Sequence, residues 1–237
     1  MAKLKYKRIL LKLSGEVFGG ENGIGIDGKV LKNLAQEIKK VKALGCEIGL
    51  VIGGGNIWRY RDFKSLNFDR VTSDQMGMLA TVMNALAFEE ALKAVGVKVR
   101  AVSSFPCEKA LENYSIKRCR HHLEKGSVII FAGGTGSPFF TTDSAAALRA
   151  LEMNCDVLLK ATKVDYVYDK DPKKHKDAKK YENLSFQEVI EKNLQVMDLT
   201  CASLCKDGDL PMLVFNLGKQ GNIEKVVKGA KIGTIIN

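Results

Sequence analysis

The sequence contains few of the residues that are typical of secreted, metal-binding and membrane proteins. Among its 237 residues, proline occurs four times, histidine three times and tryptophan once. The three histidines and six cysteines, none of them in a CxxC pair, show no spacing typical of a zinc site. No apolar run approaches the roughly 18 residues of a membrane-spanning helix, and the run Ile9–Leu13 is too short for a secretion signal. We therefore expect a cytoplasmic protein with free thiols and no membrane partner.

Two familiar nucleotide-binding motifs are missing or out of context. No GxxxxGK[ST] sequence occurs, which excludes a Walker-type loop, and the catalytic loop and DFG motif of protein kinases are absent. The segment Gly23–Gly28 matches GxGxxG, but it begins well after Leu13, where the first predicted strand ends. A dinucleotide site needs the strand to run straight into the glycine turn. We therefore expect no NAD site.

The charge balance is basic. Lys plus Arg is 37 and Asp plus Glu is 27, so the formal net charge is +10, and 46% of the residues are hydrophobic. This composition is ordinary for a globular protein and excludes the disordered and fibrous classes. The basic excess indicates an acidic partner such as nucleic acid, an anionic membrane or a phosphate compound. Six lysines fall within 170–180, a segment predicted to be a solvated loop or a loop that contacts phosphate or RNA.

Apolar runs alternate with helical patterns along the chain. Strands are predicted at 8–13, 47–52, 97–102, 127–132, 157–160 and 211–216. Helices are predicted at 30–44, 74–95, 116–125, 142–153, 184–192, 196–206 and 223–228. Because nearly continuous apolar strands alternate with helices, we predict an α/β fold, a three-layer αβα sandwich with a mainly parallel central sheet. We expect one domain that spans residues 1–237.

Three glycine-rich turns each follow a predicted strand. They lie at 12–16, 53–56 and 133–143. In an open parallel sheet, ligands bind at the carboxyl ends of the strands, and glycine lets backbone amides approach a phosphate closely. Three such turns in one sheet predict a site for ligands that carry phosphate.

Charged side chains accompany these turns. Lys12, at the end of the first strand, can present a fixed positive charge to a phosphate, and Arg59 can fork onto phosphate oxygens. Asp143 either caps the following helix or orients Lys12 or a metal-bound phosphate.

With these motifs the sequence resembles the bacterial UMP kinases of the amino acid kinase family over nearly its whole length. The segments that carry the resemblance are 10–16, 51–56, 74–84, 134–143, 160–165, 168–172 and 196–198. The run Gly134–Asp143 and the segment Met76–Met78 distinguish these enzymes from acetylglutamate, aspartate and carbamate kinases. The resemblance implies the amino acid kinase fold, a homohexamer, and transfer of the ATP γ-phosphoryl group to UMP with Mg²⁺ in pyrimidine nucleotide biosynthesis.

The resemblance also implies roles for individual residues. ATP would contact Lys12, Leu13, Ser14, Gly15, Gly55, Arg59, Thr162, Tyr168 and Asp171. UMP would contact Gly54, Asp74, Thr135, Gly136, Ser137, Pro138, Phe139, Phe140, Thr141 and Thr142. The catalytic residues would be Lys12, Arg59, Asp143 and Asp198. An acceptor-binding lobe would span roughly 1–155 and a nucleotide-binding lobe roughly 156–237.

Regulation is implied in the same way. The residues Gly20, Glu21, Asn22, Gly23, Ile24 and Gly25 resemble a region linked to activation by GTP, and inhibition by UTP is expected too.

The sequence departs from the family pattern at a few positions. Tyr60 and Tyr166 replace a usual glycine, and Ser137 replaces a usual asparagine. A tyrosine at position 166 would be strained if the backbone there needs a positive φ. Asp198 lies where relatives of other specificity carry a catalytic lysine, so it either acts at the site without positive charge or caps a helix.

Two other functions stay open at this point. The same fold can host a kinase with a carboxylate or carbamate acceptor, although the run Pro138–Thr142 argues against one. The charge of +10 also suggests a nucleic-acid-associated regulator, but the chain has no DNA-binding motif, so nucleic acid is not expected as the primary partner.

Overall fold

A sheet of nine strands lies at the centre of the structure, a computed structural model that describes residues 4–60, 62, 67–172 and 174–237. Its strands are β1 (Arg8–Leu13), β2 (Glu47–Ile52), β3 (Val99–Ser103), β4 (Glu112–Asn113), β5 (Val128–Ala132), β6 (Val157–Thr162), β9 (Asn183–Leu184), β10 (Met212–Asn216) and β11 (Thr234–Ile236). A separate antiparallel pair is formed by β7 (Val167–Tyr168) and β8 (Lys180–Tyr181).

The described helices are mostly those that the periodicity predicts. They are α1 (Gly15–Phe18), α2 (Gly28–Ala43), α3 (Arg70–Ala94), α4 (Ile116–Glu124), α5 (Thr142–Glu152), α6 (Phe186–Glu191), α7 (Leu199–Asp207) and α8 (Asn222–Val227), with a 3₁₀ turn at Gly20–Asn22.

The sheet order is β4-β3-β5-β2-β1-β6-β10-β11-β9. Every neighbouring pair is parallel except β10 with β11. The prediction of a mainly parallel sheet is therefore confirmed. The central strand β1 pairs with β2 on one side and with β6 on the other, which joins the two halves of the chain in one sheet.

Alternate residues of each strand enter two different cores. In β1, Ile9 and Leu11 belong to one core and Leu10 to the other, because successive side chains point to opposite faces of a strand. The first core is completed by α2, α3 and α8, and the second by α4, α5, α6 and α7. This arrangement confirms the predicted three-layer αβα sandwich.

Helix caps explain where the observed bounds differ from the predicted ones. Helix α3 begins at Arg70 rather than 74 because the Asp69 side chain accepts from the Thr72 amide. Helix α7 begins at Leu199 rather than 196 because Asp198 caps it and accepts from the Cys201 amide. The short strands β4, β7, β8, β9 and β11 were not predicted, since two or three residues carry no recognisable periodicity.

The GxGxxG segment lies outside any strand-to-helix turn. Helix α1 and the 3₁₀ turn separate it from β1, and its last residue, Gly28, begins α2. Gly23 and Gly25 have φ angles of 65° and 72°, which shape an irregular loop. The geometry therefore differs from that of a dinucleotide turn.

The six thiols are all free. Within the described ranges, no helix has the length and the apolar character that crossing a membrane requires.

Replacing Phe88 tests the core that supports the first glycine turn. Phe88 on α3 is fully buried, and its ring meets that of Phe18 edge to face, with 5.4 Å between centroids. We expect Phe88→Ala to lower the free energy of unfolding by about 3–5 kcal/mol, because it removes the ring and leaves a cavity. Urea unfolding measures this loss. Glu90→Ala on the exposed side of α3 is the control, with an expected change within about 0.5 kcal/mol; a loss for Phe88→Ala as small as that of the control would contradict the packing.

Candidate active site

The predicted glycine turns meet at one edge of the sheet. They follow β1, β2 and β5, which run parallel, so their carboxyl ends lie together. In the register of the central strands, Lys12 on β1 is opposite Val51 on β2 and opposite Lys160 on β6. Two lysines therefore lie side by side at the edge where parallel sheets bind ligands.

A carboxylate lies between these two lysines. The Lys12 Nζ atom is 2.7 Å from Asp143 Oδ1, and the Lys160 ammonium donates to Asp143 Oδ2. The three side chains are only 12–15% exposed. The expected pairing of Asp143 with Lys12 is thus present, and Lys160 joins it. Lys160 lies in the segment 160–165 that carries the family resemblance, but the resemblance implies no role for it. The sequence signal that points to it is a lysine that interrupts an apolar strand.

Asp143 is not the helix cap that the sequence also allowed. The cap of α5 is Thr141, whose hydroxyl oxygen accepts from the amides of Asp143 and Ser144 at 3.0 and 3.3 Å. With the cap supplied by Thr141, the Asp143 carboxylate in the first turn is left to bind the two lysines.

Burial and the neighbouring charges shift the pKa values of Asp143 and Lys160 in this ion triplet. Burial on its own would raise the pKa of Asp143, but the ammonium groups of Lys12 and Lys160 outweigh it and hold the pKa below the ordinary value. For Lys160, burial lowers the pKa, and the nearby Lys12 charge lowers it further, while Asp143 opposes both. At neutral pH the carboxylate is therefore ionised.

Asp198 reaches the same helix end from α7. Its carboxylate accepts from the Ser144 hydroxyl at 2.7 Å, from the Thr141 hydroxyl, and from the Cys201 amide at 2.9 Å. Asp198 therefore caps α7, which is one of the two roles that the sequence allowed. It also connects α7 to the first turn of α5. A cavity of about 300 Å³ is lined by Asp198 together with Asp143 and Lys160.

The first two glycine turns approach each other so closely that no side chain fits between them. A Cβ atom on Gly15 would lie 2.5 Å from the Gly53 carbonyl oxygen, and one on Gly54 would lie 2.8 Å from the Gly77 carbonyl oxygen. Ser14 begins α1 without a side-chain cap, whereas the Leu13 side chain is buried in the core. Leu13 can therefore face a ligand only with its backbone.

Arg59 is bound on three sides in the structure. Its guanidinium donates to the carbonyl of Gly55, lies 3.4 Å from the Gly23 oxygen, and is 3.1 Å from Glu16 Oε1. Arg59 therefore joins the second glycine turn to the segment predicted to bind GTP.

Two buried asparagines make a second link to that segment. The Asn56 side chain donates to the carbonyl of Gly25 and exchanges hydrogen bonds with Asn84, which donates to the carbonyl of Gly53. The backbone amide of Gly25 also donates to the backbone carbonyl oxygen of Asn56 at 2.8 Å. The predicted allosteric loop is thus fixed to the turn that follows β2.

A cavity of about 490 Å³ opens beside the second and third turns. The predicted UMP contacts that line it are Gly54, Asp74, Thr135, Ser137, Phe140, Thr141 and Thr142. Gly136, Pro138 and Phe139 lie in the same loop but outside the cavity wall. Gly55 and Arg59, expected at the ATP phosphates, line it too. The cavity wall also contains residues to which the sequence assigned no contact: Trp58, Arg70, Ser73, Gly77, Met78 and Thr81. The last three of these fall in the motif 74–84.

Asp74 is fixed at this cavity from two sides. Both of its carboxylate oxygens accept from Arg70 Nε at 2.9 Å, and one also accepts from the Phe139 amide at 2.8 Å. Phe139 has a φ of 69° and its side chain is exposed. The Arg70 guanidinium lies over the rings of both Phe139 and Tyr60, so the unusual Tyr60 has a partner at the mouth of the cavity.

A further cavity, of about 570 Å³, is formed by residues from the second half of the chain. Thr162, Tyr168 and Asp171, the three residues expected around adenosine, all line it, and so does Lys160. Tyr166 lines it as well, and its ring faces the Lys180 ammonium at 4.6 Å. Tyr60, Ser137 and Tyr166 are not among the residues with positive φ, so the strain considered for Tyr166 does not arise.

The chain is similar to known proteins in both sequence and fold. Residues 7–216 match the amino acid kinase family. A uridylate kinase of Xanthomonas campestris pv. campestris is 51% identical over 236 residues, which cover 100% of this chain and 98% of the relative. The crystal structure of UMP kinase from Bacillus anthracis superposes with a TM-score of 0.95 at 40% identity, over 98% of this chain and 96% of that one. UMP kinase from Ureaplasma parvum superposes with a TM-score of 0.92 at 38% identity, over 98% and 99%.

Replacing Asp143 by asparagine tests the triplet through its pH dependence. A carboxyl whose folded pKa lies below its ordinary value of 3.8 stabilises the fold above that value and loses this contribution as the pH falls through the folded pKa. We therefore expect Asp143→Asn to melt below the wild type near pH 6, and the difference to shrink below pH 3.8. Thermal unfolding at a series of pH values measures it.

Asp177→Asn is the matched control, because the Asp177 carboxylate pairs with Lys170 in an exposed loop. Its melting temperature should follow that of the wild type at every pH. A deficit of Asp143→Asn that stays constant below pH 3.8 would show that the charge of Asp143 is not what the two lysines need.

Proposed function

The chain belongs to the amino acid kinase family, and from this premise we infer that it is a uridylate kinase, a phosphotransferase that converts ATP and UMP into ADP and UDP. The observation that carries the proposal is the Lys12–Asp143–Lys160 triplet next to two nucleotide-sized cavities: Lys160 lines one of them, and Thr142, the residue before Asp143, lines the other. The full-length similarity to uridylate kinases gives the identity of the two nucleotides.

The two cavities divide the substrates between them. We place adenosine in the cavity lined by Thr162, Tyr168 and Asp171, and UMP in the cavity lined by Gly54 and Asp74. The first cavity is built by residues of the proposed nucleotide-binding lobe, 156–237, and the second by residues of the proposed acceptor-binding lobe, 1–155. The phosphates of both nucleotides then meet at the ion triplet.

The transfer needs no strong general base. UMP presents a charged phosphate oxygen, which attacks the γ-phosphorus of ATP; the bond to the β–γ bridging oxygen breaks, and ADP leaves with the electron pair. The main obstacle is to bring two polyanions into line, so fixed positive charge and orientation supply the catalysis. Lys12 and Lys160 provide two ammonium groups at this point, and Arg59 provides a guanidinium beside the second turn.

The carboxylates have supporting roles in this proposal. Asp143 orients the two lysines, and Asp198 fixes the first turn of α5 through the hydroxyls of Thr141 and Ser144. Asp74, held by Arg70, is positioned to accept a hydrogen bond from the ribose of UMP. Ser14 and Gly15 would contribute backbone amides to the ATP phosphates.

Magnesium fits this site as a companion of ATP. No cluster of three ligating side chains occurs among residues 4–60, 62, 67–172 and 174–237, and the carboxylates of Asp143 and Asp198 already have partners. Mg²⁺ commonly keeps its waters and binds through substrate phosphates rather than in a protein cage. Bound in this way, it would neutralise phosphate charge that Lys12, Lys160 and Arg59 do not reach.

Regulation, assembly and location follow from the resemblance. We propose that the chain forms a homohexamer in the cytoplasm, where it supplies pyrimidine nucleotide biosynthesis. We also propose that GTP activates it through the segment Gly20–Gly25 and that UTP inhibits it. The contacts of Gly23 with Arg59 and of Gly25 with Asn56 support a link between that segment and the acceptor side.

A coupled assay of ADP formation tests the function. We expect turnover of ATP only when UMP is present, and much weaker turnover with CMP, because the acceptor loop is that of the uridylate kinases. Adding GTP should raise the rate and adding UTP should lower it. Equal rates with CMP would remove the specificity, and turnover with a carboxylate or carbamate in place of UMP would replace the proposed acceptor.

Replacing Lys160 by methionine tests the chemistry. Lys160→Met keeps most of the side chain's length but removes one ammonium group from the transfer centre. We expect kcat to fall by about 10²–10³-fold, the usual cost of losing one electrostatic contact to the transition state. The kcat of Lys12→Ala should fall by at least the same factor. Lys93→Met, at the distant end of α3, is the control and should keep the wild-type rate; a near-normal rate for Lys160→Met would remove Lys160 from the mechanism.

A further inference from the structure

A buried arginine lies behind the acceptor loop and has no part in the mechanism described above. Arg149 is on α5, the helix whose first turn carries Asp143, and its side chain is only 4% exposed. Its guanidinium pairs with Glu152, lies 3.9 Å from the centre of the Tyr114 ring, and donates to the Ser104 hydroxyl at 3.1 Å. The Tyr114 hydroxyl also donates to Glu152 at 2.5 Å, so the glutamate is held from two sides.

The hydrogen bonds at Ser104 determine where its single proton goes. The Ser104 oxygen accepts from Arg149, and two carbonyls lie within reach of its proton, Gly134 at 2.8 Å and Ala132 at 3.1 Å. The Ala132 carbonyl already accepts from the Ser104 backbone amide at 3.1 Å. The shorter contact, to Gly134, is therefore the one that the hydroxyl satisfies. Arg149 thus acts on the glycine turn after β5 through Ser104.

That turn fits closely against the chain at Ser104. A Cβ atom on Gly136 would lie 2.7 Å from the Ser104 carbonyl oxygen, and one on Gly133 would lie 2.8 Å from the Phe105 ring. On the other side, the Gly133 amide donates to the Thr81 hydroxyl of α3 at 2.8 Å. Gly133 and Gly136 are thus fixed by close packing, whereas Gly134 between them has open space around its α-carbon, so the hydrogen bond from the Ser104 hydroxyl fixes the direction in which the Gly134 carbonyl points. The residues that follow it, 135–142, are those proposed to bind UMP.

Stability alone is a weak reason for an arginine at this position. A buried ion pair seldom stabilises a fold more than well-packed apolar side chains of the same volume, and the Nε atom of Arg149 has no hydrogen-bond partner in the structure. We propose that Arg149 is a positioning residue: through Ser104 it sets the Gly134–Gly136 turn relative to α5, and so aligns the UMP phosphate with the transfer centre. The proposal rests on the proposed function, in that the aligned acceptor is UMP.

Steady-state kinetics of Arg149→Met and Ser104→Ala test the proposal. Both variants break the link to Gly134, so the KM for UMP should rise about tenfold, while the KM for ATP stays within about twofold of the wild type. Ser104→Thr retains a hydroxyl and should recover most of the wild-type KM for UMP. If Arg149→Met does not fold, Ser104→Ala, which changes a less buried side chain, decides the question alone.

Arg120→Met is the matched control. Arg120 also binds the end of α5, through the Glu152 carbonyl at 2.6 Å, but its guanidinium then donates to the Asn154 side chain at 3.2 Å rather than to Ser104. Its KM values should match those of the wild type. The proposal is overturned if Ser104→Ala keeps the wild-type KM for UMP. It is also overturned if the KM values for UMP and ATP rise together in Arg149→Met, Ser104→Ala and Arg120→Met, as a general loosening of the fold would cause.

Hydrogen exchange separates this proposal from the proposed function. In the substrate-free protein, the amides of residues 133–137 should exchange about tenfold faster in Ser104→Ala and Arg149→Met than in the wild type, and at the wild-type rate in Arg120→Met. If the wild type fails to use UMP but the exchange changes as expected, the acceptor is wrong and the positioning role holds for that loop. Unchanged exchange together with unchanged KM overturns the positioning role while leaving the uridylate kinase activity intact.

Discussion

The structure depends on one electrostatic constraint, the placement of two lysines beside each other at the edge of a largely apolar sheet. Like charges this close repel, and burial disfavours each of them, so the arrangement needs the Asp143 carboxylate between Lys12 and Lys160. The parallel register of β1 and β6 brings the lysines together, and the Thr141 cap leaves Asp143 free to join them. Sheet register and helix capping thus determine the charge at the site.

The backbone around this triplet is as constrained as the charges. Gly15 and Gly54 lie where a Cβ atom would collide with a neighbouring turn or with α3, and a Cβ atom on Gly53 would lie only 3.0 Å from the Gly15 amide nitrogen. The Asn56–Asn84 pair then satisfies the carbonyls that this close packing leaves without strand partners. Side chains that hydrogen-bond backbone carbonyls therefore hold the turns in place, and among them is the Arg59 guanidinium, which donates to Gly55 and Gly23.

Much of the fold could be predicted from the sequence because its main signals are local. Apolar strands, amphipathic helices and glycine turns such as Gly53–Gly55 are visible in the sequence itself. Three residues escape sequence reasoning because their partners are distant in the chain. Lys160 lies beside Lys12 on a neighbouring strand, Arg70 lies over the Phe139 ring, and Arg149 donates to Ser104. The reading of Asp143 as a cap failed because Thr141 supplies the same hydrogen bonds. Residues whose roles come from register or packing cannot be recognised before the topology is known.

The contacts of Arg59 have a thermodynamic consequence for ligand binding. The guanidinium already faces one anion, Glu16, which also lies 3.4 Å from the ammonium of Lys163. A phosphate that binds Arg59 must therefore exchange places with a carboxylate, and only the difference between the two anions contributes to affinity. Glu16 itself lies in the first turn of α1, where the helix dipole favours a negative charge. The Glu16 carboxylate thus competes with any bound phosphate for the Arg59 guanidinium.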